Sequence, residues 1–184
     1  IDPSDRNNLA IRLASRNGHT EVVKLLLNDS RVNPSDMNND AIRSASRNGH
    51  LKVVKLLLSD SRVDPSHFNN EAIRLASQNG HYEVVKLLLS DSRVYPSDDD
   101  NNAIITASQN GHYEVVKLLL RSSRVEPSDV NNLAIRLASR NGHYKIVKLL
   151  LSDSRVDPSD MNNEAIITAS QNGHYEVVKL LLRS

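Results

Sequence analysis

Glycine and proline each recur at a spacing of 31 residues along the whole chain. Gly18, Gly49, Gly80, Gly111, Gly142 and Gly173 mark one register, and Pro3, Pro34, Pro65, Pro96, Pro127 and Pro158 mark a second. A fixed period of this length is the mark of stacked supersecondary units rather than of a fold with one central core. The 184 residues are two short of six full periods. The expectation is therefore a single solenoid over 1–184, with repeats at 1–31, 32–62, 63–93, 94–124, 125–155 and 156–184.

The third copy shows what one unit encodes. Asn69-Asn70 precedes an apolar set at Ala72, Ile73, Leu75 and Ala76 with helical spacing. Asparagine is a strong N-cap, because its side chain accepts from an orphan helix N–H. Gly80 follows the apolar set and reads as a left-handed helix terminator. A second helix carries Val84, Val85, Leu87, Leu88 and Leu89 and fades at Ser90-Asp91. Pro96 removes a backbone donor and keeps the connector out of the helix. Helices of two or three turns do not persist alone in water. Stacking lets each copy cover the apolar face of the next. The fold class this predicts is all-α, a helix-turn-helix repeat solenoid with short turns or fingers between repeats.

Composition narrows the function classes. Lys plus Arg number 23 and Asp plus Glu 22, a net charge of +1. That argues against a nucleic-acid binder or a polybasic membrane module, both of which need a basic excess. No cysteine is present, which removes thiolate metal sites and cysteine nucleophiles. No apolar run exceeds three residues, far short of the ~20 that a membrane span needs. The lack of a leader and of cysteine favours a cytoplasmic location.

The string Gly80-His81-Tyr82-Glu83-Val84-Val85-Lys86-Leu87-Leu88-Leu89 resembles the helix-turn-helix core of the ankyrin repeat family. The Ala76-Ser77 pair stands where that family usually has Ala-Ala, and the match recurs in all six copies. The departures are local. The family's Thr-Pro-Leu-His start is replaced by residues such as Glu71-Ala72-Ile73-Arg74, and the usual period of about 33 is shortened. A glycine ending the second helix is missing, with Asp91 near its place. The resemblance implies a non-enzymatic interaction scaffold. The finger between repeats is left open as either a β-hairpin or a tight turn.

Comparing the copies with one another separates scaffold from variable positions. Seventeen of the 31 columns are identical wherever they occur, and most have a packing, capping or turn reason. One variable column holds Arg6, Met37, Phe68, Asp99, Val130 and Met161. A second includes Asp40, Glu71 and Asn102, and a third includes Arg47, Gln78 and Arg140. Two further first-helix columns change as a set. One contains Arg43, Arg74 and Arg136, and its neighbour runs Leu13, Ser44, Leu75, Thr106, Leu137, Thr168. The resemblance implies that the finger tip and first helix form a concave partner-binding face. With the unrepeated His67 added, these columns supply the candidate contact residues for a protein partner. Exposed apolar Met37 and Phe68 are the side chains an interface core uses.

Other chemistries fit poorly. Equivalent histidines in a stack lie about 8–10 Å apart, a helix-packing distance, whereas ligands must sit about 2 Å from one zinc ion. The expected role of His19, His50, His81, His112, His143 and His174 is packing or bonding at the inter-helix turn. Asp98-Asp99-Asp100 lacks the spacing of a cation loop. A Ser, His, Asp trio repeated in every copy offers no asymmetric catalytic pocket. No cofactor, metal, nucleic-acid or membrane partner is expected. The first-helix arginines are expected to pair with finger aspartates such as Asp36 and Asp129.

The end repeats are as apolar as the inner ones. This motivates an alternative in which the terminal layers stack head-to-tail on a second copy, through Ile11, Leu25, Val178, Leu181 and Leu182. Ala103 to Ser122 recurs unchanged as Ala165 to Ser184. Recent duplication, cassette shuffling and an engineered consensus binder all fit that identity, and the apolar end repeats fit a fragment of a longer array as well.

Overall fold

The computed structural model describes residues 1–184 and consists of twelve helices with no strand. The chain divides into two compact units, Ile1–Tyr95 and Pro96–Ser184. The first holds α1 (Asp5–Arg16), α2 (Thr20–Leu27), α3 (Asp36–Arg47), α4 (Leu51–Leu58), α5 (His67–Gln78) and α6 (Tyr82–Leu89). The second holds α7 (Asp98–Gln109), α8 (Tyr113–Leu120), α9 (Asp129–Arg140), α10 (Tyr144–Leu151), α11 (Asp160–Gln171) and α12 (Tyr175–Leu181). Within each unit the odd-numbered helices form one layer and the even-numbered helices the other. Each odd helix also packs on the even helix that follows it.

The core sits between the two layers of each unit. Ile42, Val54 and Leu57 are fully buried in the second repeat, as are Ile73, Val85 and Leu88 in the third. Ile135, Val147 and Leu150 do the same in the fifth. Each such side chain stabilises by about 1.5–3 kcal/mol when taken from water. Ala41, Ala45, Ala72 and Ala76 have no exposed surface, so the first helices meet over small residues. A core of stacked aliphatic residues explains how the chain folds with so few aromatics.

Glycine ends each first helix as expected. Gly80 sits at φ +74°, while His81 N–H reaches Ala76 C=O at 2.9 Å and Gly80 N–H reaches Ser77 C=O at 3.2 Å. This is the Schellman arrangement, which satisfies carbonyls left over at the helix end. The glycine is needed for a second reason. A Cβ on Gly49 would lie 2.6 Å from Nδ1 of His81 in the next repeat.

The start of the first helix differs from the expectation. Three consecutive residues of every repeat lie in the left-handed region, as at Phe68 (φ 53°), Asn69 (φ 54°) and Asn70 (φ 56°). The turn is closed by Asn70 N–H donating to Ser66 C=O at 2.8 Å. The chain then resumes a right-handed helix at Glu71. Neither asparagine of the pair N-caps the helix; the second one bonds to the next repeat instead. The finger is thus a tight left-handed turn and not a β-hairpin. L-residues rarely enter this region consecutively, because each costs about 1–2 kcal/mol there, and asparagine is among the few that tolerate it. A turn just before it prepares the entry. Asp64 Oδ1 accepts both the N–H (2.9 Å) and the hydroxyl (2.6 Å) of Ser66 around Pro65.

Candidate functional site

Repeats within each unit are held together by polar staples built from the invariant columns. The second asparagine of each pair is the first staple. Asn39 is buried, and its Oδ1 accepts the Asp64 N–H at 2.9 Å. Asn8 does the same for Asn33 (2.8 Å), Asn70 for Tyr95 (2.9 Å) and Asn132 for Asp157 (2.8 Å). The Nδ2 of Asn8 donates to Asp36 at 2.9 Å and that of Asn132 to Asp160 at 3.0 Å. Finger aspartates therefore pair with asparagines of the preceding repeat, not with first-helix arginines as the sequence led one to expect.

The histidines form a second staple. His50 Nε2 donates to Arg16 C=O at 3.0 Å, and His81 Nε2 to Arg47 C=O at 2.8 Å. His143 and His174 repeat the contact in the second unit. A third staple is the Asp-Ser-Arg exit of the second helix. The Arg62 guanidinium grips Asp60 at 2.6 Å, its Nη1 donates to Val32 C=O at the start of its own repeat at 2.8 Å, and its Nη2 reaches Leu27 C=O of the repeat before at 3.2 Å. Arg93 and Arg155 reach Val63 and Val125 in the same way. The Asp60, Asp91 and Asp153 carboxyls are held below the ordinary carboxylate range by their hydrogen bonds to these arginines. Asp29, beside Arg31, is lowered to about 2. This exit motif supplies what the missing glycine does not.

The first-helix arginines pair instead with acidic residues of the next first helix. Arg12 meets Asp40 at 2.8 Å, Arg43 meets Glu71, and Arg136 meets Glu164. Arg43 also lies 3.6 Å from Asp40, which makes Arg12, Asp40, Arg43 and Glu71 one alternating ladder. Four predicted contact residues, Asp40, Arg43, Glu71 and Arg136, are therefore half-buried and engaged within the fold. Arg74 and Asn102 are also half-buried.

The remaining predicted residues are placed on the outside. Arg6, Met37, Phe68, Asp99, Val130 and Met161 each occupy the first position of a left-handed turn, and all six are exposed. Met37 is 45%, Phe68 51%, Val130 44% and Met161 49% exposed. The Phe68 ring lies under the Arg43 guanidinium at 4.9 Å and against the edge of His67 at 5.3 Å. Arg47, Gln78 and Arg140 lie exposed at the helix ends. Between α3 and α5 a polar cavity of about 70 Å³ is lined by Asp40, Arg43, Ser44, Arg47, Glu71 and Leu75. Ser44 did not stand among the predicted contacts. Its signal was there as the smallest residue in a column otherwise filled by leucine and threonine.

The residues expected to stack end to end divide. Leu25 and Leu182 are each 72% exposed, whereas Ile11 is fully buried and Leu181 is 8% exposed. Ile11 and Leu181 are consumed by the packing of their own units and are withdrawn from any terminal surface. Val178 is half-buried. No helix is long and apolar enough to cross a membrane.

No curated protein matches the chain. A family model described as ankyrin repeats (3 copies) matches it three times, at residues 1–69, 61–132 and 125–184. Those three matches cover the whole sequence, and the helix pairs, glycine turns and neighbour-on-neighbour packing they correspond to are all in the structure. Ankyrin repeats are in general protein-interaction scaffolds and typically non-enzymatic, and the chain belongs to the ankyrin repeat family.

Proposed function

We propose that the chain is a non-enzymatic scaffold that binds a protein partner through its left-handed turns and the adjoining face of its first helices. One observation carries this reading. Methionine, phenylalanine and valine stand exposed at positive φ in four of the six turns. For bulky and β-branched residues that conformation is a genuine outlier. Asparagine or glycine would relieve the strain, so folding alone gives no reason for these side chains. An apolar contact surface does, because exposed methionine and aromatic residues form the centre of protein interfaces.

A display library selected against the 184-residue chain tests it. Ligands so obtained are expected to bind about tenfold more weakly to Met37→Ser and Phe68→Ser. They should bind Lys52→Ser, on the second-helix layer, as they bind the parent. Equal loss, or no loss, in all three variants counts against the turn face.

End-to-end association with a second copy is a second reading with its own observation. Gly173 has nothing within 4 Å of its Cβ position, while Gly18, Gly49, Gly111 and Gly142 are each covered by a histidine of the following repeat. Asn163, equivalent to the buried Asn39 and Asn132, is likewise exposed. Light scattering at increasing concentration checks this. Growing particles support it, and a constant monomer mass eliminates it.

A further inference from the structure

We infer that the cavity at Ser44 receives a side-chain carboxylate from an acidic, otherwise apolar peptide segment of the partner, an inference that rests on the scaffold reading above. The cavity is short of acceptors. Its two carboxylates are already engaged, Asp40 by Arg12 and Glu71 by Arg43. The Ser44 hydroxyl is spent as a donor to Asp40 at 3.2 Å. Arg47 lines the cavity with no ion-pair or hydrogen-bond partner for its exposed guanidinium. Arg43 lines it too and keeps its Nε–H buried without an acceptor. The open Arg47 guanidinium calls for an oxygen acceptor, and a carboxylate matches its forked geometry. About 70 Å³ exceeds what one water needs and admits a carboxylate head.

The surroundings define the rest of the ligand. Leu75 forms an apolar wall of the cavity. Phe68 stacks on the same Arg43 and is half exposed, so an apolar ligand residue beside the carboxylate has a ring to meet. The second repeat alone combines a small residue with arginine on both sides, Arg43 and Arg47. The equivalent positions carry leucine in the first, third and fifth repeats. In the fourth and sixth repeats threonine is flanked by isoleucine and glutamine, as at Ile105 and Gln109. The site is therefore single.

The probe is a fluorescein-labelled hexapeptide of alternating Glu and Leu, measured by anisotropy with the full 184-residue chain. A Gln-Leu peptide is the control. The acidic peptide is expected to bind, more weakly as salt rises, and the control about tenfold more weakly. Ser44→Leu fills the cavity and Arg47→Gln removes the open donor, and each is expected to cost about tenfold in affinity. Both variants carry the residue of a sister repeat, so they retain the fold, which their circular dichroism melts verify. Affinity unchanged in Ser44→Leu, equal binding of the control, or no binding of the acidic peptide overturns the inference. A duplex DNA that displaces the peptide and ignores Ser44→Leu overturns it in favour of a polyanion surface. Loss of peptide binding in Phe68→Ser but not in Ser44→Leu leaves the turn face standing and removes only the cavity. Loss in neither variant removes both.

Discussion

The side-chain Oδ1 of Asn39 accepts the backbone N–H of Asp64 at 2.9 Å, and this single bond ties the left-handed turn of one repeat to the entry of the next. Asn39 is 4% exposed, so its side-chain oxygen has little access to water as an alternative partner. Asn39→Ala should lower stability by about 2 kcal/mol, from the lost hydrogen bond and the loss of a residue that tolerates positive φ. Asn39→Gly keeps the backbone conformation and loses only the bond. Its urea midpoint should fall between those of the parent and Asn39→Ala.

The same staple can be turned into a pH switch. Asn132 Nδ2 donates to Asp160 at 3.0 Å. In Asn132→Asp two carboxyl groups face each other, and like charge raises the pKa of one of them. Stability should drop at pH 7 and recover in part near pH 4, when that carboxyl takes a proton. A melting temperature that falls equally at both pH values would refute the pairing.

Ser46 is fully buried and its hydroxyl has no hydrogen-bond partner. The equivalent Ser15, Ser77, Ser108 and Ser139 are in the same state. Such a group costs about 1–3 kcal/mol, and alanine is also the better helix former. Ser46→Ala should therefore raise stability by about 1 kcal/mol. Thermal unfolding of single and multiple Ser→Ala variants checks the sign and the additivity.

Gly49 and Gly173 share a positive φ but differ in what covers them. Gly173→Ala carries only the left-handed cost of about 1–2 kcal/mol. Gly49→Ala adds a clash with the His81 ring, whose Nε2 is bonded to Arg47 C=O. Its chemical-denaturation midpoint should be clearly lower than that of Gly173→Ala, and equal midpoints would remove the histidine contact from the account.

Acid should loosen the Asp-Arg exits. The folded carboxyls of Asp60, Asp91 and Asp153 lie below their unfolded value, so their contribution is complete above about pH 4. It is lost as pH falls through the depressed folded values. Between pH 5 and 8 these groups add no pH dependence. Asp60→Asn should lower the melting temperature at pH 7 and reduce the further loss between pH 4 and pH 3.

Much of this was legible along the chain. The period of 31 gave the repeat, Gly80 gave the Schellman turn, and the aliphatic columns gave the core. The exposed row from Arg6 to Met161 was also visible as a column that varies between near-identical copies, although the equally variable Asp40 and Arg43 columns are engaged in ion pairs. The asparagine pair was read as a helix cap, since its neighbours in sequence offer it a helix terminus. Its actual donor and acceptor partners lie 25 and 28 residues away, beyond any local pattern. The partners of Arg12 and Arg43 were missed for the same reason, as alternating charge columns show opposite signs but not which pairs come within bonding distance.

Sequence by itself determined the unit, its two helices and its dependence on neighbours, because period, apolar spacing and helix-ending glycines are properties of the chain. Tertiary structure alone decided how the repeats are joined and what remains free. Stacking places Asn39 on Asp64, His81 on Gly49 and Arg62 on Leu27, and so consumes the invariant polar groups. It also leaves Ser44 and Arg47 side by side in the lining of a small polar cavity. Those outcomes depend on distances between residues one repeat apart, which only the packed helices set.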